Sequence, residues 1–99
     1  MKESRDGISQ ITNHVNLYQN YPNTFNPETT IKYSIPISSI VTLRIYDLTG
    51  QEIATLVNEP KNAGTHKVVF NAAALSSGIY FCQMQVDGFT QARKLLLAR

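Results

Sequence analysis

The chain has 99 residues, a net charge of +2 and only 16% charged residues, against about 25% in an average domain. That length makes one domain, burying roughly 60–65% of its unfolded surface, with no room for a second core. So small a charge excess gives no footing for nucleic acid. Val, Ile and Thr together supply 24 residues, so pleated, half-buried strands are expected rather than helices.

In chain order, residues 1–14 are polar, without periodicity, and read as a leader or linker ahead of a domain over 15–99. No apolar signal-peptide core follows Met1 to Gly7, so Met1 is expected to mark a fragment boundary, with any export signal on an upstream partner. Val15 to Tyr18 reads as a short edge strand. Asn20 to Pro27 holds Pro22, Pro27 and three asparagines. Proline breaks ladders and asparagine bonds its own backbone, so an ordered turn is expected, with Tyr21 and Phe25 as apolar anchors.

Alternation then predicts strands. Thr30 to Ile35 places Ile31, Tyr33 and Ile35 on one face, and Ile40 to Tyr46 places Val41, Leu43 and Ile45 inward. Asp47 to Gly50 is a turn. Gln51 to Val57 returns, burying Ile53 and Leu56, and Asn58 to Gly64 reads as a loop. Thr65 to Phe70 sets His66, Val68 and Phe70 on one face. Asn71 to Leu75 has room for one helical turn. Ile79 to Val86 and Phe89 to Leu97 flank Asp87-Gly88, a two-residue hairpin signal. Seven strands at this spacing indicate an all-β, seven-stranded antiparallel Ig-like or fibronectin-like β-sandwich, with a barrel as the alternative.

Tyr80 stands two residues before Cys82, the spacing of a tyrosine corner, in which the hydroxyl ties back to upstream backbone. Cys82 is the single cysteine, so no disulfide forms within the chain. Its phase with Tyr80 and Met84 marks a core thiol rather than a nucleophile served by His14 or His66. His14, His66, Asp47, Asp87 and Glu52 are too scattered for a metal site. No cofactor is expected and no catalytic pair stands out, so the chain is expected not to be an enzyme. The run Leu95 to Ala98 is far shorter than the roughly 20 residues of a membrane-spanning helix.

Two readings without catalysis remain. Tyr18, Tyr21, Tyr46, Phe81 and Phe89 include candidates for an exposed carbohydrate-binding pair, Tyr46 and Phe81 being out of phase with their core faces. Both faces of a central strand being partly covered is the competing explanation. Arg93, Lys94 and Arg99 place three cations in the last seven residues. They either discourage edge-to-edge pairing or present a determinant at a fixed place.

Six segments stand in order: Asn20-Tyr21-Pro22-Asn23-Thr24-Phe25-Asn26-Pro27-Glu28-Thr29; Ile31 to Pro36; Val41 to Gln51; Ala63-Gly64-Thr65-His66; Leu75 to Tyr80; and Lys94 through Leu97 to Arg99. Together, over residues 15–99, they resemble the type A C-terminal sorting domain of type IX secretion, the Por secretion family of Bacteroidetes-like bacteria. The fold also resembles the Ig-like domain of flagellar hook-capping proteins. The departures are Thr24 for a proline, Phe70 for a tryptophan and Asn71-Ala72 for Asp-Gly.

The resemblance implies a label on an upstream cargo protein. The cargo crosses to the periplasm, the label is read by the type IX outer-membrane translocon, and a sortase-like cysteine peptidase removes it. The cargo is then held at the cell surface or released. Recognition is expected on the last hairpin: Gly78 and Tyr80 fix its geometry, and Lys94, Leu97 and Arg99 form an exposed determinant. Asn20, Pro22, Phe25, Asn26, Pro27, Asp87 and Gly88 are structural, and cleavage is expected before Val15. The alternative is a passive accessory sandwich, binding carbohydrate or spacing domains, on an extracellular enzyme.

Overall fold

A computed structural model describes residues 14–99, so the expected leader lies outside the described residues except for His14. Seven strands form in order: β1 (Asn16–Leu17), β2 (Glu28–Ile35), β3 (Ser39–Tyr46), β4 (Glu52–Lys61), β5 (Gly64–Asn71), β6 (Gly78–Val86) and β7 (Phe89–Leu97). They make a three-stranded sheet, β1-β2-β5, and a four-stranded sheet, β4-β3-β6-β7, with every strand pair antiparallel. The described residues are all-β, consistent with the expected sandwich.

The predicted alternation sets the core. Ile31, Tyr33 and Ile35 of β2 face Val41, Leu43 and Ile45 of β3, with Cys82, Met84 and Leu95 completing the buried layer. His66, Val68 and Phe70 stand opposite Tyr33, Ile31 and Thr29 in the β2–β5 register, on one face as expected. His66 stacks on Tyr33 at 5.4 Å and its Nε2 donates to the Asn62 carbonyl, so this histidine is tied into the fold.

β4 runs farther than expected, through Asn58 and Pro60 to Lys61. It lies at the edge of its sheet, where a proline forfeits no ladder bond. Its pairing with β3 slips twice, so that Leu56 and Ile53 are the extra residues of two bulges. The slips put Val57 opposite Leu43 and Ala54 opposite Ile45 while Thr55 and Glu52 stay outward. Each bulge reverses the phase of a strand whose sequence does not alternate cleanly. Ile53 and Leu56 are therefore half-buried rather than buried.

Between Asn71 and Leu75 there is no helix; Leu75 N donates to the Ala72 carbonyl in a single tight turn. Tyr21 also departs from expectation. It is 81% exposed, whereas Phe25 is 2% exposed and fills the core end against Phe70, ring centroids 6.1 Å apart. The turn needs one anchor, and Asn20 supplies the rest. Buried Asn20 donates through Nδ2 to the Pro22 carbonyl and to Thr29 Oγ1, and the Thr29 hydroxyl donates to the same carbonyl. A buried polar group left unpaired costs about 1–3 kcal/mol, and this closed triad leaves neither side chain unpaired.

Candidate functional site

The site grows from the last hairpin. Asp87 has φ +48 and Gly88 φ +87, the left-handed pair that a two-residue turn matching strand twist requires. Val86 is thereby set opposite Phe89, and the ladder continues to Tyr80↔Leu95 and Gly78↔Leu97. Gly78 opens β6 at φ +152 with open space where a Cβ would stand, so its constraint is backbone conformation rather than crowding.

The Tyr80 hydroxyl donates to the Ser76 carbonyl at 2.6 Å, making the expected tyrosine corner. Tyr80→Phe is expected to lower stability by about 1 kcal/mol, the net worth of one hydrogen bond, read as a shifted urea midpoint with an unchanged slope. Cys82, paired with Ile45 and Arg93 inside the four-stranded sheet, is fully buried. Burial pushes its thiol up to about 12, which leaves essentially no thiolate at neutral pH. A thiol reagent is expected to label Cys82 only once the chain is unfolded; rapid labelling of the native protein would contradict a sealed core.

The far side of β7 is stitched to residues 15–25. Gln91 accepts from Leu17 N and donates to the Val15 carbonyl, and Arg93 Nε donates to the Leu17 carbonyl. Gln19 Nε2 donates to the Lys94 carbonyl, and Leu96 N donates to Asn23 Oδ1. Phe25 then runs parallel to Leu97, its N–H donating to the Leu96 carbonyl and its carbonyl accepting from Ala98 N. An edge strand covered in this way cannot template pairing with another chain. Arg93 therefore acts by joining the two sheets at their rim.

Arg99 turns back over the β5–β6 connection. Its Nη1 donates to the carbonyls of Ala72, Ala73 and Leu75, and its N–H to Ser77 Oγ. Leu97 is only 3% exposed, which corrects its expected place on the surface. Opposite Gly78 it shares the inward face of Tyr80 and Cys82. Lys94 is exposed and pairs in register with Phe81 on the outer face. Gly78, Tyr80, Lys94, Leu97 and Arg99 all gather at one end of the hairpin, and of the three expected to form the exposed determinant Lys94 alone turns freely outward.

Around Lys94 lie apolar side chains that the sequence reading did not include: Leu96, half-buried, and Ile79, 37% exposed. Beside them is a shallow concavity of about 370 Å³ lined by Tyr46, Asp47, Leu48, Gly50, Phe81, Gln83 and Ala92. Asp47 Oδ1 accepts from Thr49 N, Thr49 Oγ1 and Gln51 N, fixing the turn at its rim. The Thr49 hydroxyl, then the backbone amides, hold the Asp47 carboxyl below its ordinary range. Tyr46 and Phe81, out of phase with the core in sequence, are the half-buried walls of this concavity. Among the described residues no group of acids, histidines and cysteine is placed to hold a metal ion, and no helix is long and apolar enough to cross a membrane.

These features define a small all-β module whose last strand is bonded along both edges, to β6 on one side and to residues 15–25 on the other. The family model of the secretion system C-terminal sorting domain, Por_Secre_tail, matches residues 19–98. The chain belongs to this family: it is a C-terminal sorting domain of type IX secretion. That role implies a type IX system, a cargo in the native chain and export of that cargo to the cell surface or medium, and the family is not catalytic. Among curated proteins, none matches the chain.

Proposed function

We propose that the type IX translocon reads the end of the β6–β7 hairpin, with Lys94 as the outward contact. Gly78, Tyr80 and Leu97 fix the hairpin end from within, and Arg99 holds the neighbouring turn against it. The observation that carries this reading is the outward placement of Lys94, beside Phe81, on a strand hydrogen-bonded along both edges. Residues 15–99 travel through the periplasm as a folded unit. Residues 1–14 link that unit to the cargo, and a sortase-like peptidase cuts within them, before Val15.

The test places residues 15–99 behind a signal peptide and a fluorescent reporter, in a type IX-competent bacterium and in a translocon-null strain. Reporter outside the cell only in the competent strain is the expected result. Lys94→Glu should hold the reporter in the periplasm while the isolated domain melts as before. Export unaffected by Lys94→Glu would remove Lys94 from the contact. Reporter retained in both strains would favour an accessory sandwich instead.

A further inference from the structure

The exposed tyrosine of the front motif has no part in the core and none in the hairpin end. Tyr21 is 81% exposed, yet its backbone is fixed by a pair of hydrogen bonds with Thr30, its N–H donating to the Thr30 carbonyl and its carbonyl accepting from Thr30 N. Tyr18, 38% exposed, is fixed likewise: its N–H donates to the Lys32 carbonyl and its hydroxyl meets Ser34 Oγ at 3.3 Å. These two rings, with Gln19, Thr30, Lys32 and Lys67, line a concavity of about 410 Å³ on the outer face of the three-stranded sheet.

The charges there are unbalanced. Lys32 and Lys67 are direct cross-strand partners, an arrangement in which like charges destabilise a sheet. Neither has a carboxylate partner among the described residues, although Arg44 and Lys61 do. Instead the Lys32 ammonium lies 4.7 Å from the centroid of the Tyr18 ring, an attraction that holds it over the concavity. The face thus presents one open aromatic platform at Tyr21 and two adjacent ammonium groups.

We propose that this face binds an acidic saccharide of the hexuronate class. The C–H face of a pyranose is apolar and lies flat on an aromatic ring, the role of Tyr21. In a hexuronate the carboxylate is carried on the stacked ring itself, so ring and charge fit within one concavity and the acid sits between Lys32 and Lys67. Tyr18 is a positioning residue, holding Lys32. A bound acid also relieves the Lys32–Lys67 repulsion, so ligand and sheet stabilise each other. An acidic peptide would satisfy the lysines but leave the Tyr21 platform unused. This inference stands apart from the sorting role, which is read at the opposite sheet.

The test is calorimetric titration of the full chain with trigalacturonate, with maltotriose as the neutral saccharide and triglutamate as the acid without a ring. Trigalacturonate should bind, more weakly as salt is raised, and should raise the melting temperature; the other two should not bind. Tyr21→Ala should weaken binding about tenfold, and Lys67→Gln should weaken it and flatten its salt dependence. Tyr21 is so exposed that melting of the unliganded Tyr21→Ala chain should be unchanged. No binding of trigalacturonate, equal binding of triglutamate, or binding indifferent to Tyr21→Ala would each overturn the proposal. Export of the reporter by the Tyr21→Ala domain should be normal, which keeps this outcome separate from the sorting test.

Discussion

Truncation after Arg93 is expected to leave a chain that does not fold. The six residues removed include Leu95, fully buried, and Leu97, 3% exposed. Losing a buried leucine side chain costs about 2–5 kcal/mol, so the pair accounts for roughly 4–10 of the 5–15 kcal/mol that stabilise an entire domain. Further losses follow from the same cut. Phe25 loses its bridge to Leu97 and its bonds to Leu96 and Ala98, and the turn at Ala72 to Leu75 loses the Arg99 guanidinium. Circular dichroism and a thermal melt check the expectation: the truncated chain should show no cooperative transition. A native-like melt would mean that the front motif holds the sandwich without its partner strand. The result bears on function directly. Loss of export after this truncation would report an unfolded domain as readily as a missing signal, whereas Lys94→Glu changes an exposed side chain and leaves the core in place.

Much of this was legible because the information is local. The alternation of β2 and β3 assigned their inward faces, Asp87-Gly88 located the hairpin to the residue, and the Tyr80–Cys82 spacing identified a hydroxyl that does reach back to Ser76. The place of Leu97 was legible too, by a step that basic residues on either side obscured. A two-residue turn at Asp87-Gly88 pairs Val86 with Phe89, and counting outward pairs Gly78 with Leu97. Cross-strand partners share a face, so Leu97 must lie with Tyr80 and Cys82. By contrast, Tyr21 and Phe25 sit in a proline-broken segment with no period to phase them, and only one reaches the core. The extension of β4 was hidden by Asn58 and Pro60, residues that signal a loop except at an exposed sheet edge. The stitching of residues 15–25 onto β7 joins positions more than seventy residues apart, through side-chain amides and a parallel bridge that leave no periodic trace.

That stitching gives the second large effect. Phe25→Ala is expected to destabilise the domain by about 3–5 kcal/mol, lowering the melting temperature by roughly 12 °C or more at 4–8 °C per kcal/mol. Phe25 is 2% exposed, its ring tilted against Phe70, so truncation leaves a cavity at one end of the core. The backbone bonds of residue 25 to Leu96 and Ala98 do not depend on the side chain, but the ring is what seats that backbone beside β7. With the seat gone, the Leu96 N–H bond to Asn23 and the Gln19 bond to the Lys94 carbonyl should open as well. Amide hydrogen exchange distinguishes this from a local defect. Faster exchange at Leu96 and Ala98 in Phe25→Ala, beyond that at β3 amides, would show the front motif acting as the clamp on the last strand. Uniform acceleration across both sheets would show a general loss of core stability with no special coupling. In the first case the reporter fused to Phe25→Ala should be exported poorly although Lys94 and every residue of the hairpin remain. The front motif would then serve sorting by holding the last strand in the form that is read.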